Sequence, residues 1–107
     1  MLHKINEILN TINGFYLYDD QVAQKYISLI NEAIELISGL DAPSTSMLEN
    51  AQNEALTELR NELANRMNEI HFFSAPLERK KSEFKISKAL VVVAIGNVIS
   101  NIPTKDS

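Results

Sequence analysis

The sequence predicts an all-α fold, an antiparallel four-helix bundle, and three observations lead to that prediction. Apolar residues recur at helical intervals of three and four through most of the chain. The residues that interrupt helices, three Gly and three Pro, are few and widely spaced. So few turn residues do not suit the many short strands of a β protein. Three long helices plus a short N-terminal docking helix are the alternative arrangement.

Length and composition indicate one helical domain over residues 1–107. Apolar residues make up 45% and charged residues 22%, which is typical of a globular protein. The chain has no cysteine, so it has neither a disulfide framework nor thiolate chemistry. This composition fits a reducing compartment, and we expect a cytoplasmic protein. The N-terminal segment has none of the pattern of a secretory signal.

Charge is unevenly distributed along the chain, whose net charge is −4. Residues 1–77 carry eleven acidic and four basic side chains, whereas residues 78–107 carry six basic and three acidic ones. Nucleic-acid binding needs a positive face, so this distribution argues against it over most of the surface.

The first two helices are predicted over 2–13 and 20–38. In the first, apolar residues follow an i, i+3, i+4 pattern, and Gly14 stands where a C-terminal cap belongs. The second begins after Asp19 or Asp20, either of which can accept hydrogen bonds from the start of a helix. Its apolar stripe is broad enough to contact two neighbours. Gly39 is expected to end it in a left-handed conformation.

The third helix is predicted over 47–73, with Ser46 and Glu49 forming an S-x-x-E capping box at its start. Its apolar stripe advances eleven residues in three turns, which predicts a nearly straight helix. The stripe consists of Leu48, Gln52, Leu56, Leu59, Leu63, Met67 and Ile70. The segment "HFFSAP" then ends the pattern, with Ser74 as the predicted cap of the next helix and Pro76 in its first turn.

The most apolar segment, "KALVVVAIGNVIS", belongs to a fourth helix predicted over 77–101. Its Val content also suits a strand, but no second strand is apparent to pair with it. As a membrane span it is too short, because about 20 apolar residues are needed. Burial of these side chains outweighs their small cost in helix propensity. We expect the C-terminal half of this helix to form the centre of the core, and residues 103–107 to be a short disordered tail.

No residue pattern indicates catalysis, a cofactor or a metal. His3 and His71 each lack a second histidine one helical turn away, the spacing that places two metal ligands on one face. There is no Gly-rich phosphate loop and no arrangement of a nucleophile with its base. The acidic pair Glu58–Glu62 is typical of a solvated helix face. We therefore expect a protein that is not an enzyme and has no cofactor.

The segment "FYLYDD" is the candidate partner-binding site, through Tyr16, Tyr18, Asp19 and Asp20. Tyrosine is favoured at protein interfaces because it offers a large area and a polar tip. The neighbouring carboxylates suggest a partner with a basic surface. In the alternative interpretation this loop only covers one end of the bundle with its aromatic rings.

Three functions are compatible with these features. The leading hypothesis is a small non-enzymatic interaction module that masks or neutralises a partner protein, of the chaperone, immunity or inhibitor type. The second is a structural homo-oligomer assembled through the Val-rich helix, by Val91, Val92, Ile95, Val98 and Ile99. The third is a peripheral membrane protein attached through residues 78–102, where the basic segment "ERKKSEFKISK" precedes the apolar run.

Overall fold

The computed structural model describes residues 2–39, 46–71 and 74–102. These ranges form four helices and no strand: α1 (Leu2–Asn13), α2 (Asp20–Ser38), α3 (Met47–Asn68) and α4 (Leu77–Asn101). Each helix contacts its neighbours in chain order, and α1 also contacts α4, which closes the ring. The predicted antiparallel four-helix bundle is therefore confirmed.

The core lies on the axis of the ring and receives side chains from all four helices. Although α1 is only 12 residues long, it contributes three isoleucines that are almost completely buried. Such a short helix is held by packing rather than by its own propensity. The fully buried set on the four helices is Ile5, Ile12, Ala23, Tyr26, Ile30, Ala33, Leu63, Val91 and Ile95.

The start of α2 follows the sequence prediction, but its end does not. Asp19 is the N-cap, and its Oδ1 accepts a hydrogen bond from the Val22 amide at 2.8 Å. Gly39 has φ −77° and ψ −3°, so the predicted left-handed cap is wrong. Its backbone stays in the right-handed region, where a glycine is not required.

The predicted end of α3 at residue 73 is also wrong, because the helix ends at Asn68. The amide of Glu69 donates to the carbonyl of Arg66, and that of Ile70 donates to the carbonyl of Met67. These bonds span three residues instead of four and tighten the last turn. Residues 72 and 73 lie outside the described ranges.

Helix α4 covers the predicted range, but Ser74 is not its cap. The Ser74 hydroxyl donates to the His71 carbonyl, and Pro76 precedes the helix without a side-chain cap. The strand alternative for the Val-rich segment is wrong, since the segment is helical throughout. The predicted disordered tail, 103–107, lies outside the described residues.

The C-terminal half of α4 lines one side of the core, so the expectation that it forms the centre of the core is wrong. Val91 and Ile95 are buried, but Leu90 and Val93 on the same stretch are exposed. The reason is that α1 and α3 pack on two sides of this helix and leave a third side open.

We predict that the buried hydroxyl of Tyr26 makes stability fall at high pH. It lies 2.7 Å from the Ser87 Oγ, and burial raises the pKa of Tyr26 to about 12. Because the unfolded chain ionises this group at a lower pH, its contribution is complete below about pH 10 and is lost towards pH 12, by about 2–3 kcal/mol. Tyr26→Phe should lack this component in denaturant titrations at each pH. An identical alkaline decline in both proteins would contradict the assignment.

Candidate partner-binding site

The predicted site residues in the loop between α1 and α2 are engaged with their own chain. The Tyr18 ring meets the buried Phe84 ring edge to face, with centroids 5.6 Å apart. The Tyr18 hydroxyl donates to Asp20 Oδ1 at 2.5 Å, and Lys80 Nζ lies 3.7 Å from the same oxygen. With Asp19 as the cap of α2, both carboxylates of the segment have structural partners.

The pKa values of this cluster reflect those contacts. Burial and the hydrogen bond to Asp20 raise the pKa of Tyr18 to about 12. The Tyr18 hydrogen bond and the Lys80 charge lower the pKa of Asp20 below its ordinary value. Asp20 therefore stays ionised at neutral pH and forms an exposed ion pair with Lys80.

Removing the N-cap of α2 should destabilise the protein. We predict that Asp19→Ala lowers the free energy of unfolding by about 1 kcal/mol, because the Val22 amide loses its acceptor. Asp19→Asn keeps an acceptor oxygen and should be close to wild type. Urea denaturation measures the difference, and equal loss in both variants would show that charge, not capping, is responsible.

Basic side chains of α4 also border this loop, beside exposed Asp19 and Asp20. Lys81, Lys85 and Lys88 of α4 line the same groove as the loop residues. Lys88 Nζ donates to the Phe15 carbonyl at 2.6 Å and lies 5.7 Å from the centroid of the Tyr16 ring. Tyr16, unlike Tyr18, projects into solvent.

The residues predicted for an oligomer interface face the chain's own core. Val91 and Ile95 are fully buried in it, while Val92, Val98 and Ile99 are partly buried and pack against it. In this fold the first two are not accessible to a second chain. An interface on α4 would have to use the exposed parts of Val92, Val98 and Ile99 or another face of the helix.

An exposed apolar stripe on α4 was not predicted as a site. Ile86, Leu90 and Val93 are 61%, 41% and 58% exposed, respectively. Their spacings of four and three residues place them on one face of the helix. That spacing was visible in the sequence, but the run is apolar nearly all round and so did not show which face would stay outside.

The stripe borders a groove between α3 and α4, formed by three adjoining cavities of about 240, 390 and 260 Å³. Arg66 and Leu90 line the first two, and Glu58 and Asn97 line the second and third. The groove therefore follows the two antiparallel helices over several turns. We call it the α3–α4 groove.

The polar border of the α3–α4 groove is mainly acidic: Glu58, Glu62, Glu69 and Glu83. Arg66, in its middle, contacts Glu62 and Glu69, both at 2.9 Å. Those hydrogen bonds raise the pKa of Arg66, and its Nε has no hydrogen-bond partner among the described residues. Glu83 is paired with Arg79 at 3.4 Å. The four carboxylates of the border outnumber these two guanidiniums, so the border keeps a net negative charge.

The described residues contain no group of three or more potential metal ligands. His3 does contact a carboxylate one turn away, Glu7, at 2.9 Å, on the exposed face of α1. Two side chains on a solvated face do not make a closed metal site.

No helix in the described ranges combines the length and apolar character needed to cross a bilayer.

No protein-family model, curated protein or solved structure matches the chain. The arrangement of its own side chains is therefore the basis for a functional proposal.

Proposed function

We propose that this protein is a non-enzymatic interaction module that binds a helical segment of another protein in the α3–α4 groove and masks it. The observation that carries the proposal is the exposed stripe of Ile86, Leu90 and Val93 beside a groove with an acidic border. A chaperone, an immunity protein or an inhibitor would act in this way. The proposal includes a cytoplasmic location, in keeping with the absence of cysteine.

The shape of the groove suits an amphipathic helix as its ligand. The stripe extends about 10 Å along α4, or two helical turns. A helix that lies in such a groove buries apolar residues at i, i+3 or i+4, and i+7. Burying the exposed part of these three side chains would supply the apolar part of the binding energy, about 1 kcal/mol each, because about half of each side chain is still open to solvent.

The charge of the border indicates which residues should flank the apolar ridge of that ligand. Four glutamates and one arginine around the groove favour Lys and Arg beside the apolar ridge of the partner helix. Charges at the rim of an interface mainly set specificity and association rate. The expected partner is therefore a basic amphipathic helix.

A second copy of this chain suits the groove less well. A two-fold interface brings the same patch of both subunits together. The acidic border of one copy would then lie against the acidic border of the other, and like charges in contact are unfavourable. The homo-oligomer remains an alternative that the tests below distinguish.

Selection from a library of displayed peptides tests the proposal directly, because it samples many helical ligands at once. We expect peptides with helical apolar spacing and flanking Lys or Arg. Their affinity should fall several-fold for Leu90→Asp, since the exposed 41% of Leu90 contributes about 1 kcal/mol of apolar burial.

Leu77→Asp is the matched control, because it changes an exposed Leu of the same helix outside the groove. It should leave affinity unchanged. Selected peptides that bind Leu90→Asp as tightly as wild type would place the binding site elsewhere.

A further inference from the structure

We propose that the loop between α1 and α2 attaches the protein to an anionic membrane surface, with Tyr16 and Leu17 entering the interface and lysines of α4 facing the headgroups. The first observation is exposure. Tyr16 and Leu17 are 87% and 83% exposed, and they are adjacent at the tip of the loop. Tyrosine and an aliphatic residue are the types that lie at the level of the headgroups and the first acyl carbons.

The backbone of the tip is held in place, although the side chains of Tyr16 and Leu17 are largely exposed. On one side the Lys88 amine bonds the Phe15 carbonyl at 2.6 Å. On the other, the Tyr18 ring packs on Phe84, which in turn meets the ring of buried Tyr26 at 5.2 Å. Anchors on both sides present Tyr16 and Leu17 outward, so little ordering is needed when they bind.

The cationic part of the surface comes from α4. Lys81, Lys85 and Lys88 follow one another at helical spacing and line the groove of about 530 Å³ that Tyr16 and Leu17 also border. Lys81 and Lys85 are exposed and have no acidic partner within the described ranges. Lysines near an anionic surface each contribute about 1 kcal/mol of attraction.

The way Tyr16 and Leu17 project from the loop favours a membrane as the binding partner over an acidic protein or a nucleic acid. A bilayer accepts protruding residues without a complementary pocket, whereas a protein partner must supply one. Leu17 has no ring on which a base can stack. The chain carries a net charge of −4, so attraction to an anionic bilayer is expected of this lysine-lined face and is opposed by acidic residues elsewhere, including exposed Asp19 and Asp20 beside the tip. Two side chains and three lysines give weak, reversible attachment.

Co-sedimentation with vesicles tests this attachment, using phosphatidylcholine alone and phosphatidylcholine mixed with phosphatidylserine. We expect binding only to the mixed vesicles, and weaker binding at high salt. Leu17→Ser should reduce partitioning about tenfold, through lost apolar burial. Lys85→Gln should reduce it about fivefold, through one lost charge.

Met47→Ser is the matched control, because Met47 is equally exposed but lies at the start of α3. It should sediment like wild type, and so should Leu90→Asp, because the α3–α4 groove is on a different face of α4. The membrane proposal and the proposed function can therefore fail independently of each other.

Equal sedimentation of Leu17→Ser and wild type would overturn the membrane proposal. So would binding to polyglutamate or single-stranded DNA that depends on Lys85 but not on Leu17.

Discussion

Val91→Asp is expected to abolish folding, whereas Val93→Asp, two positions further along the same helix, is expected to leave the protein folded. Val91 is 0% exposed and packs in the core of its own chain, while Val93 is 58% exposed. An unpaired carboxylate in an apolar core costs several kcal/mol. The total stability of a domain of this size is about 5–15 kcal/mol, so the loss is decisive.

Far-ultraviolet circular dichroism together with light scattering measures this pair of variants. The fold predicts loss of helical signal for Val91→Asp alone. A Val91→Asp protein that kept its helical content but had a smaller mass than wild type would mean that Val91 lies in an interface between subunits. That outcome would support the homo-oligomer predicted from the sequence.

The second large effect is expected for Phe84→Ala, with a loss of about 3–5 kcal/mol in the free energy of unfolding. Phe84 is nearly buried, and its ring forms an edge-to-face pair with Tyr18 and another with Tyr26. Aromatic pairs of this geometry add about 0.5–1.5 kcal/mol beyond the area they bury. The variant should also release the loop between α1 and α2, because Tyr18 loses its support.

Urea denaturation gives the stability change, and limited digestion by chymotrypsin at Tyr16 and Tyr18 reports the release of the loop. Phe84→Leu fills most of the space and should lose much less stability. It lacks the ring, however, so it should still be cut faster than wild type. Unchanged cleavage in both variants would show that the Lys88 contact with the Phe15 carbonyl is enough to hold the loop.

The helices were predictable because local pattern and packing agree. Apolar spacing placed the bounds of α1, α2 and α4 where the structure has them, and Asp19 caps α2 as predicted. For α4 the β-branched residues favour a strand, but burial of Val91 and Ile95 is worth more than their propensity costs. Ser46 also acts as predicted, since its Oγ accepts from the Glu49 amide at 3.2 Å.

Features that depend on contacts between distant residues were not predictable. Sequence spacing does not show that the last turn of α3 tightens beside the Arg66–Glu69 ion pair. Nor does it show that Lys81, Lys85 and Lys88 come to lie against a loop more than sixty residues earlier. Nor could the contacts of Asp19 and Asp20 with the start of α2, with Tyr18 and with Lys80 be read from "FYLYDD" alone.

The α3–α4 groove was not predictable either, because it also depends on contacts between distant residues. In a run that is apolar nearly all round, Ile86, Leu90 and Val93 look no different from Val91 and Ile95. Only the positions of α1 and α3 decide which set is covered. The acidic border likewise combines Glu58, Glu62 and Glu69 of one segment with Glu83 of another.

The most direct test of the central claim is an amide chemical-shift map of the protein titrated with a model helix. The peptide is built from Leu and Lys with leucines at i, i+4 and i+7, and the matched control has Glu in place of Lys. We predict shifts confined to the α3–α4 groove, around Glu58 to Arg66 and Ile86 to Asn97, with the Lys peptide only. Shifts centred elsewhere, such as near Glu32 and Glu35 of α2, or equal shifts with both peptides, would contradict the proposed function.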